Sequence, residues 1–175
     1  MKLKNLLYGL LAVAILAGCA GNAEKKRILD RIAASEAKIF GDSLRAIPDQ
    51  NTGMEAIQAY TDYANEYPGD TLSAEYLYKG AEIAMNLKMS AMAVEYYKRI
   101  LEAYPAYSRA PYCIFLQAFI LENQMNQYDQ AKALYQEFID KYPNHALTRD
   151  ARLSIENMGK PIEELIREWE SKNKD

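Results

Sequence analysis

Few residues of this 175-residue chain have a type and spacing that could do chemistry: two cysteines, one histidine and scattered acidic pairs. His145, in Pro143-Asn144-His145, is the one imidazole. It has no neighbouring His or Cys ligand and no nucleophile beside it, so a metal or triad role lacks its partners. Glu163-Glu164 reads as charge on a solvated helix. The chain has no phosphate-cradling Gly loop, no nucleophile elbow, and no HExxH or CxxC spacing. No catalytic residue, no metal ligand and no cofactor is therefore expected. The net charge of −3 lacks the basic excess of a nucleic-acid binder. Cys113 stands inside the apolar run Tyr112 to Leu121, which argues for burial. Cys19 closes a different apolar run and needs a different explanation.

That run is a leader. Met1-Lys2-Leu3-Lys4 is basic, and Leu6 to Leu16 is apolar apart from Tyr8 and Gly9. It is too short for a spanning helix of ~20 apolar residues and fits the hydrophobic region of a secretory signal. Leu16-Ala17-Gly18-Cys19 resembles the lipobox of bacterial lipoproteins. The resemblance implies a diacylglyceryl thioether on Cys19, cleavage before it, and acylation of the new amine. Two or more acyl chains, at ~0.8 kcal/mol per buried methylene, anchor a protein without a spanning helix. The mature chain then starts at Cys19 and loses Lys2 and Lys4. Cys113 is left as a lone thiol. Ala20-Gly21-Asn22 carries no Asp after the Cys, which by analogy with lipoprotein sorting favours the outer membrane. The absence of an acidic run there favours the periplasmic side. Lys25-Lys26-Arg27 has the charge to touch anionic head groups, at ~1 kcal/mol per charge, or simply opens a solvated helix.

The elements that follow are set by a repeat. Met54 to Pro68, Ala91 to Pro105 and Asp129 to Pro143 align at spacings of 37 and 38 residues, a period that signals a helical array. Each carries Ala, an aromatic four residues on, a large apolar residue at seven and Pro at twelve. These are Ala56, Tyr60, Tyr63 and Pro68; Ala93, Tyr97, Ile100 and Pro105; Ala131, Tyr135, Phe138 and Pro143. The spacing lays one apolar stripe along a helix, with Ala letting a neighbour approach and the aromatic filling the gap beside it. Pro cannot continue a helix, so Tyr67-Pro68, Tyr104-Pro105 and Tyr142-Pro143 end each one. Second helices are expected over Ser73 to Leu87, Ser108 to Asn123 and Ala146 to Met158. Ser108 is the candidate N-cap of its helix, Pro111 lies in its first turn, and Gly159 is a C-cap candidate. After Pro161, the spacing of Ile162, Leu165, Ile166 and Trp169 gives a terminal helix that should cap the last open apolar face. Glu24 to Phe40 reads as one helix carrying Ile28, Leu29, Ile32, Ala33, Ala37 and Phe40. Gly41 to Gly53 reads as a linker.

The Ala–aromatic–apolar–Pro pattern resembles the second helix of a tetratricopeptide repeat, and Gly80-Ala81 and Ala118 fall where that family places a small residue in its first helix. Gln130-Ala131 and Phe138-Ile139-Asp140-Lys141-Tyr142-Pro143 resemble the BamD-like and YbgF-like envelope subset, especially the short tetratricopeptide lipoproteins of Bacteroidota. The likeness covers about residues 52–172 and, separately, the lipobox. It implies an all-α, tetratricopeptide-like right-handed solenoid of about three helix pairs, with an N-terminal helix and a C-terminal capping helix. The barrel-assembly lipoprotein of that subset is longer, and the Tol–Pal partner has a coiled coil and no lipid anchor. The fold carries over; a role in either machine does not. The expected organisation is a lipoprotein signal peptide at 1–18, a lipidated tether at 19–23, an N-terminal helix and linker at 24–51, and the repeat domain at 52–172.

In such an array the first helix of each pair lines the concave face. Tyr78, Glu82, Met85 and Asn86 would line it from one pair, and Tyr112, Phe115, Phe119, Glu122 and Asn123 from the next. All but Gln117 of the ten residues Tyr112 to Leu121 are apolar. A helix apolar all round is either covered on every side or exposes a stripe for a partner's helix or strand. Of the 14 Tyr, Tyr60, Tyr67, Tyr97, Tyr104, Tyr135 and Tyr142 are repeat positions and Tyr63 aligns with Ile100 and Phe138. Tyr76, Tyr96 and Tyr107 are less tied to the pattern. The reading is a non-catalytic, lipid-anchored scaffold for other envelope proteins or peptides, with a membrane contact through Cys19 and no nucleic acid. A self-associating structural lipoprotein (a homo-oligomer) and a regulator of cell-wall enzymes are the alternatives.

Overall fold

The computed structural model describes residues 22–41 and 47–172; the expected signal peptide and the expected lipidation site Cys19 lie outside them. Among the described residues there are helices and no strand: α1 (residues 22–40), α2 (Gln50–Glu66), α3 (Leu72–Asn86), α4 (Ser90–Ala103), α5 (Ala110–Asn123), α6 (Tyr128–Lys141), α7 (Thr148–Asn157) and α8 (Ile162–Lys172). None of the described helices is long and apolar enough to cross a membrane. The fold is all-α and of the tetratricopeptide-like helix-pair class. Contacts divide it into two compact units, Met1–Tyr76 and Leu77–Asp175.

In the first unit, α1 buries Ile28, Ile32, Ser35 and Ile39. Their four–three–four spacing is one stripe of a helix. Leu29, Ala33, Ala37 and Phe40 lie beside that stripe, and Phe40 is 45% exposed. α1 carries apolar residues on two overlapping stripes, and packing chose one. α2 starts earlier than the linker expectation allows. Asp49 accepts from the backbone N–H of Asn51 (3.0 Å) and Thr52 (3.1 Å), a side-chain N-cap. Residues 50–53 are therefore helical, and Gly53 is buried. Tyr60 stacks on Tyr76 at 5.4 Å, and Tyr63 meets Tyr76 edge-on at 4.8 Å.

In the second unit α4 packs on α5, α5 on α6 and α6 on α7. Ala118, Ala131 and Ala151 are each fully buried, one on each of α5, α6 and α7, which lets the backbones close up. Tyr135 and Phe138 fill the space beside them at 0% exposure. The repeat register is a burial register: Ala93, Tyr97 and Ile100 on α4 are also at 0%.

The Tyr-Pro ends share one geometry. Tyr67, Tyr104 and Tyr142 each close a helix with φ near −130° and ψ near 60°, as C-caps at (−126°, 57°), (−131°, 60°) and (−131°, 57°). The carbonyl of each accepts from the N–H three residues on, at Asp70, Tyr107 and His145. In two of the turns a hydroxyl six residues on also donates to that carbonyl, Ser73 Oγ and Thr148 Oγ1, both at 2.7 Å. The turn sets where the next helix starts. α5 begins at Ala110, with Arg109 rather than Ser108 at the N-cap, and α7 begins at Thr148 rather than Ala146. Pro111 sits in the first turn of α5, and Gly159 adopts φ +73° after α7, both as the sequence reading placed them.

α8 follows Pro161, but its apolar face stays largely open. Leu165 is half-buried, whereas Ile162, Ile166 and Trp169 are 63%, 49% and 67% exposed.

Candidate functional site

α5 is built so that one side must be left over. Its sequence, Ala110-Pro111-Tyr112-Cys113-Ile114-Phe115-Leu116-Gln117-Ala118-Phe119-Ile120-Leu121-Glu122-Asn123, has almost no polar face. Its neighbours take Cys113, Ile114, Gln117, Ala118, Ile120 and Leu121, all buried. Tyr112 and Phe119 remain 42% and 39% exposed. They lie seven residues apart on one stripe, with half-buried Leu116 between them and exposed Asn123 beyond. Asn123 donates its amide to the Phe119 carbonyl at 3.0 Å. His145 meets the Tyr112 ring edge-on at 5.1 Å and the Phe138 ring at 5.3 Å, and its Nδ1 accepts from the Leu147 N–H. The imidazole thus braces the turn before α7.

Two residues expected to line the groove are engaged in packing: Tyr78 is buried and Phe115 is half-buried against the core. Phe115 meets Tyr135 and Phe138 edge-on at 5.5 and 5.6 Å. Tyr78 is 5% exposed and meets Tyr97 edge-on at 5.6 Å. The contact is the same in both pairs: an aromatic of the first helix against the repeat Tyr of the second. The Arg109 guanidinium lies 5.0 Å over the Tyr78 ring, and burial, aided by Glu82, pushes the Tyr78 phenol up to about 12. Glu82 and Met85 are half-buried and Asn86 is exposed. Among the residues expected to line the groove, Tyr112, Phe119 and Asn123 are the exposed members on α5.

Glu122 is also structural. It accepts from the Tyr135 hydroxyl at 2.8 Å, as Glu36 accepts from Tyr60 in the first unit at 3.0 Å. Tyr97, the repeat partner of both, is different: its buried hydroxyl has no hydrogen-bond partner among the described residues. Met85 is the α3 counterpart of Glu122, so the acceptor is missing. An unsatisfied buried hydroxyl costs desolvation that its removal recovers. Tyr97→Phe is accordingly expected to be neutral or stabilising, by up to about 1 kcal/mol, while Tyr135→Phe costs about 1–2 kcal/mol. Urea unfolding of the two variants checks the difference.

Cys113 is free and fully buried, and burial pushes its thiol up to about 12. A neutral, inaccessible thiol is a poor nucleophile. It should not react with a thiol reagent at pH 8 in the native protein, and should react within minutes in denaturant. Rapid native labelling would contradict the burial.

The basic cluster at the start of α1 is already paired: Lys25 with Asp70 at 2.7 Å, Lys26 with Asp30 at 2.6 Å and Arg27 with Glu24 at 2.7 Å. Lys25 also lies over the rings of Tyr63 (5.5 Å) and Tyr67 (5.1 Å). Asp70 is held down to about 2, first by the Lys25 ammonium, then by the Leu72 N–H and the Tyr63 hydroxyl. This latch ties the start of α1 to the turn after α2. It joins residues far apart in sequence, and spacing offered no signal for it. Ser73 and Thr148 did leave one, a hydroxyl six residues after the Tyr of Tyr-Pro. Among the described residues, no group of three or more His, Cys, Asp or Glu could hold a metal ion.

The tetratricopeptide-repeat family profile matches residues 75–107 and 112–145. The chain is also similar to the outer membrane protein assembly factor BamD of Caulobacter vibrioides, at 24% identity over 177 residues. That alignment covers 95% of this chain and 57% of the relative, so the chain spans little more than half the relative's length. The chain thus carries tetratricopeptide-repeat matches over α3 to α6 and is similar to BamD along nearly its whole length.

Proposed function

We propose that this protein is a non-catalytic scaffold of the bacterial envelope, held to the outer membrane by lipid on Cys19, facing the periplasm and accessory to outer-membrane protein assembly. The observation that carries the reading is the exposed stripe of Tyr112, Phe119 and Asn123 on a helix whose other sides are used up in packing. Two aromatic side chains one above the other, with an amide at the end, suit an apolar segment of another protein. The similarity to an assembly factor supports the assignment to outer-membrane protein assembly, and the leader with its lipobox supports the anchor.

The test is crosslinking in intact cells with the double variant Tyr112→Ser, Phe119→Ser. Both side chains are exposed, so the helical circular-dichroism signal should be kept. Capture of envelope proteins should fall at least about tenfold, the loss of roughly 1.4 kcal/mol or more expected from removing two aromatic anchors. Unchanged capture by the folded variant would sink the α5 surface as the docking site.

A further inference from the structure

In the first unit α1 and α2 form an antiparallel hairpin with its two ends set well apart. Lys25 pairs with Asp70, Arg31 with Asp62 and Lys38 with Glu55, at 2.7, 2.7 and 2.6 Å. One number rises as the other falls, so the two helices run in opposite directions. The start of α1 therefore lies beside the turn that follows α2, and the end of α1 lies beside the start of α2. From residue 22 to residue 40, at ~1.5 Å per residue, the two ends are about 27 Å apart.

The end that holds the turn differs from the sides. Pro68, Gly69 and Thr71 are exposed there, and Leu72 is 45% exposed. The one charge of the turn, on Asp70, is met by the Lys25 ammonium at 2.7 Å and the Tyr63 hydroxyl at 2.8 Å. An exposed apolar residue at this position is particular to this turn. Five residues after the Tyr of Tyr-Pro, the second turn has exposed Arg109, and in the third Leu147 packs against the core cluster. The outer side of α1 carries exposed Lys26, Arg27, Asp30 and Lys38.

We infer that this end of the hairpin, with Leu72 at its tip, rests on the lipid surface, so that α1 and α2 stand on the membrane rather than lie along it. The inference rests on the lipid anchor at Cys19 proposed above. Cys19 and Asn22 are three residues apart in sequence. A chain extends by at most ~3.6 Å per residue, so the start of α1 lies within about 11 Å of the anchored residue. The turn beside it is carried to the same place. The far end, with exposed Phe40, reaches the surface only if the hairpin tips over. That would lay the four charged side chains of α1 against the surface and strip water from them. A turn with one large apolar side chain is too small to hold a partner from solution. Against the surface to which the chain is already tied it needs little affinity of its own, because the tether sets the local concentration.

The test uses the full-length lipidated protein in vesicles of phosphatidylethanolamine and phosphatidylglycerol that carry a spin-labelled head group as quencher. A fluorophore is placed on Thr71→Cys at the tip, on Gln50→Cys at the far end, or on Ala37→Cys on the outer side of α1. All three positions are exposed, and Cys113 is buried away from the reagent. Quenching should be several-fold stronger at position 71 than at 50 or 37. Leu72→Glu in the Thr71→Cys background should lower it towards the level at 50. An acidic residue in the first turn of α3 suits the helix, so circular dichroism should be unchanged. The inference is overturned if the three positions are quenched alike, or if 37 or 50 is quenched most. It is equally overturned if Leu72→Glu leaves the quenching at 71 unaltered. Flotation with the vesicles separates this reading from the anchor. Protein that floats with uniform quenching overturns the orientation alone, and protein that does not float overturns the anchor and the orientation with it.

Discussion

Phe138→Ala should be the most damaging single substitution in the repeats, costing about 3–5 kcal/mol. The ring has no exposure and lies in the cluster shared by α5, α6 and α7. It meets Phe115 on α5 at 5.6 Å, Tyr142 at the helix end at 5.7 Å and His145 in the turn at 5.3 Å. Ala118, Ala131 and Ala151 of the same cluster are already small, so the surroundings have little with which to collapse into the gap. Truncation removes the transfer energy of the ring and leaves a cavity, and the two costs add. The midpoint of thermal unfolding should fall by roughly 10 °C for a chain of this size. A scan of wild type and variant by circular dichroism reads it directly. A loss under about 1 kcal/mol would mean that the turn and α7 are not held by this ring.

Cys19→Ala should move the protein from the membrane to the soluble fraction. Acyl chains contribute ~0.8 kcal/mol per buried methylene, and two or more of them make anchoring stable. No described helix offers a substitute span, and the basic residues Lys25, Lys26 and Arg27 are committed to Asp70, Asp30 and Glu24 rather than to head groups. Fractionation of cells carrying the variant gives the answer, and continued membrane association would contradict the lipid anchor. Thiol counting adds an independent check: denatured wild type should present Cys113 alone, because a thioether at Cys19 does not react.

How much of this was legible depends on how many neighbours a residue has to know about. Ala56, Ala93, Ala131 and the aromatics that follow them were legible because burial there is decided within one helix and repeated. The Tyr-Pro helix ends were legible because proline acts on its own chain. The buried stripe of α1 was not: Ile28, Ile32, Ser35 and Ile39 compete with Leu29, Ala33, Ala37 and Phe40, and only the partner helix decides. On α5 the sequence announced a surplus of apolar residues but not which of them would face outward. Phe115 and Phe119 are four residues apart, yet one packs on Tyr135 and the other is exposed. The terminal helix α8 was legible from its amphipathic pattern after Pro161; how far Ile162, Ile166 and Trp169 stay exposed was not, because a pattern says that a face is apolar, not how much of it a neighbour covers. The missing acceptor of Tyr97 was readable in hindsight, as Met85 standing where the next pair has Glu122.

The shared turn has a consequence for how such a chain can change length. Each Tyr-Pro end is closed by its own backbone carbonyl and, in two cases, by a hydroxyl from the helix that follows. The hydrogen bonds on that carbonyl all come from the six residues that follow it, so the bend itself is local. A gene segment encoding one pair, cut at that joint, could be duplicated or deleted with both new ends already capped, whereas a gain of two or three residues inside the turn would misplace the next helix. Growth by whole pairs is the least disruptive path for this architecture.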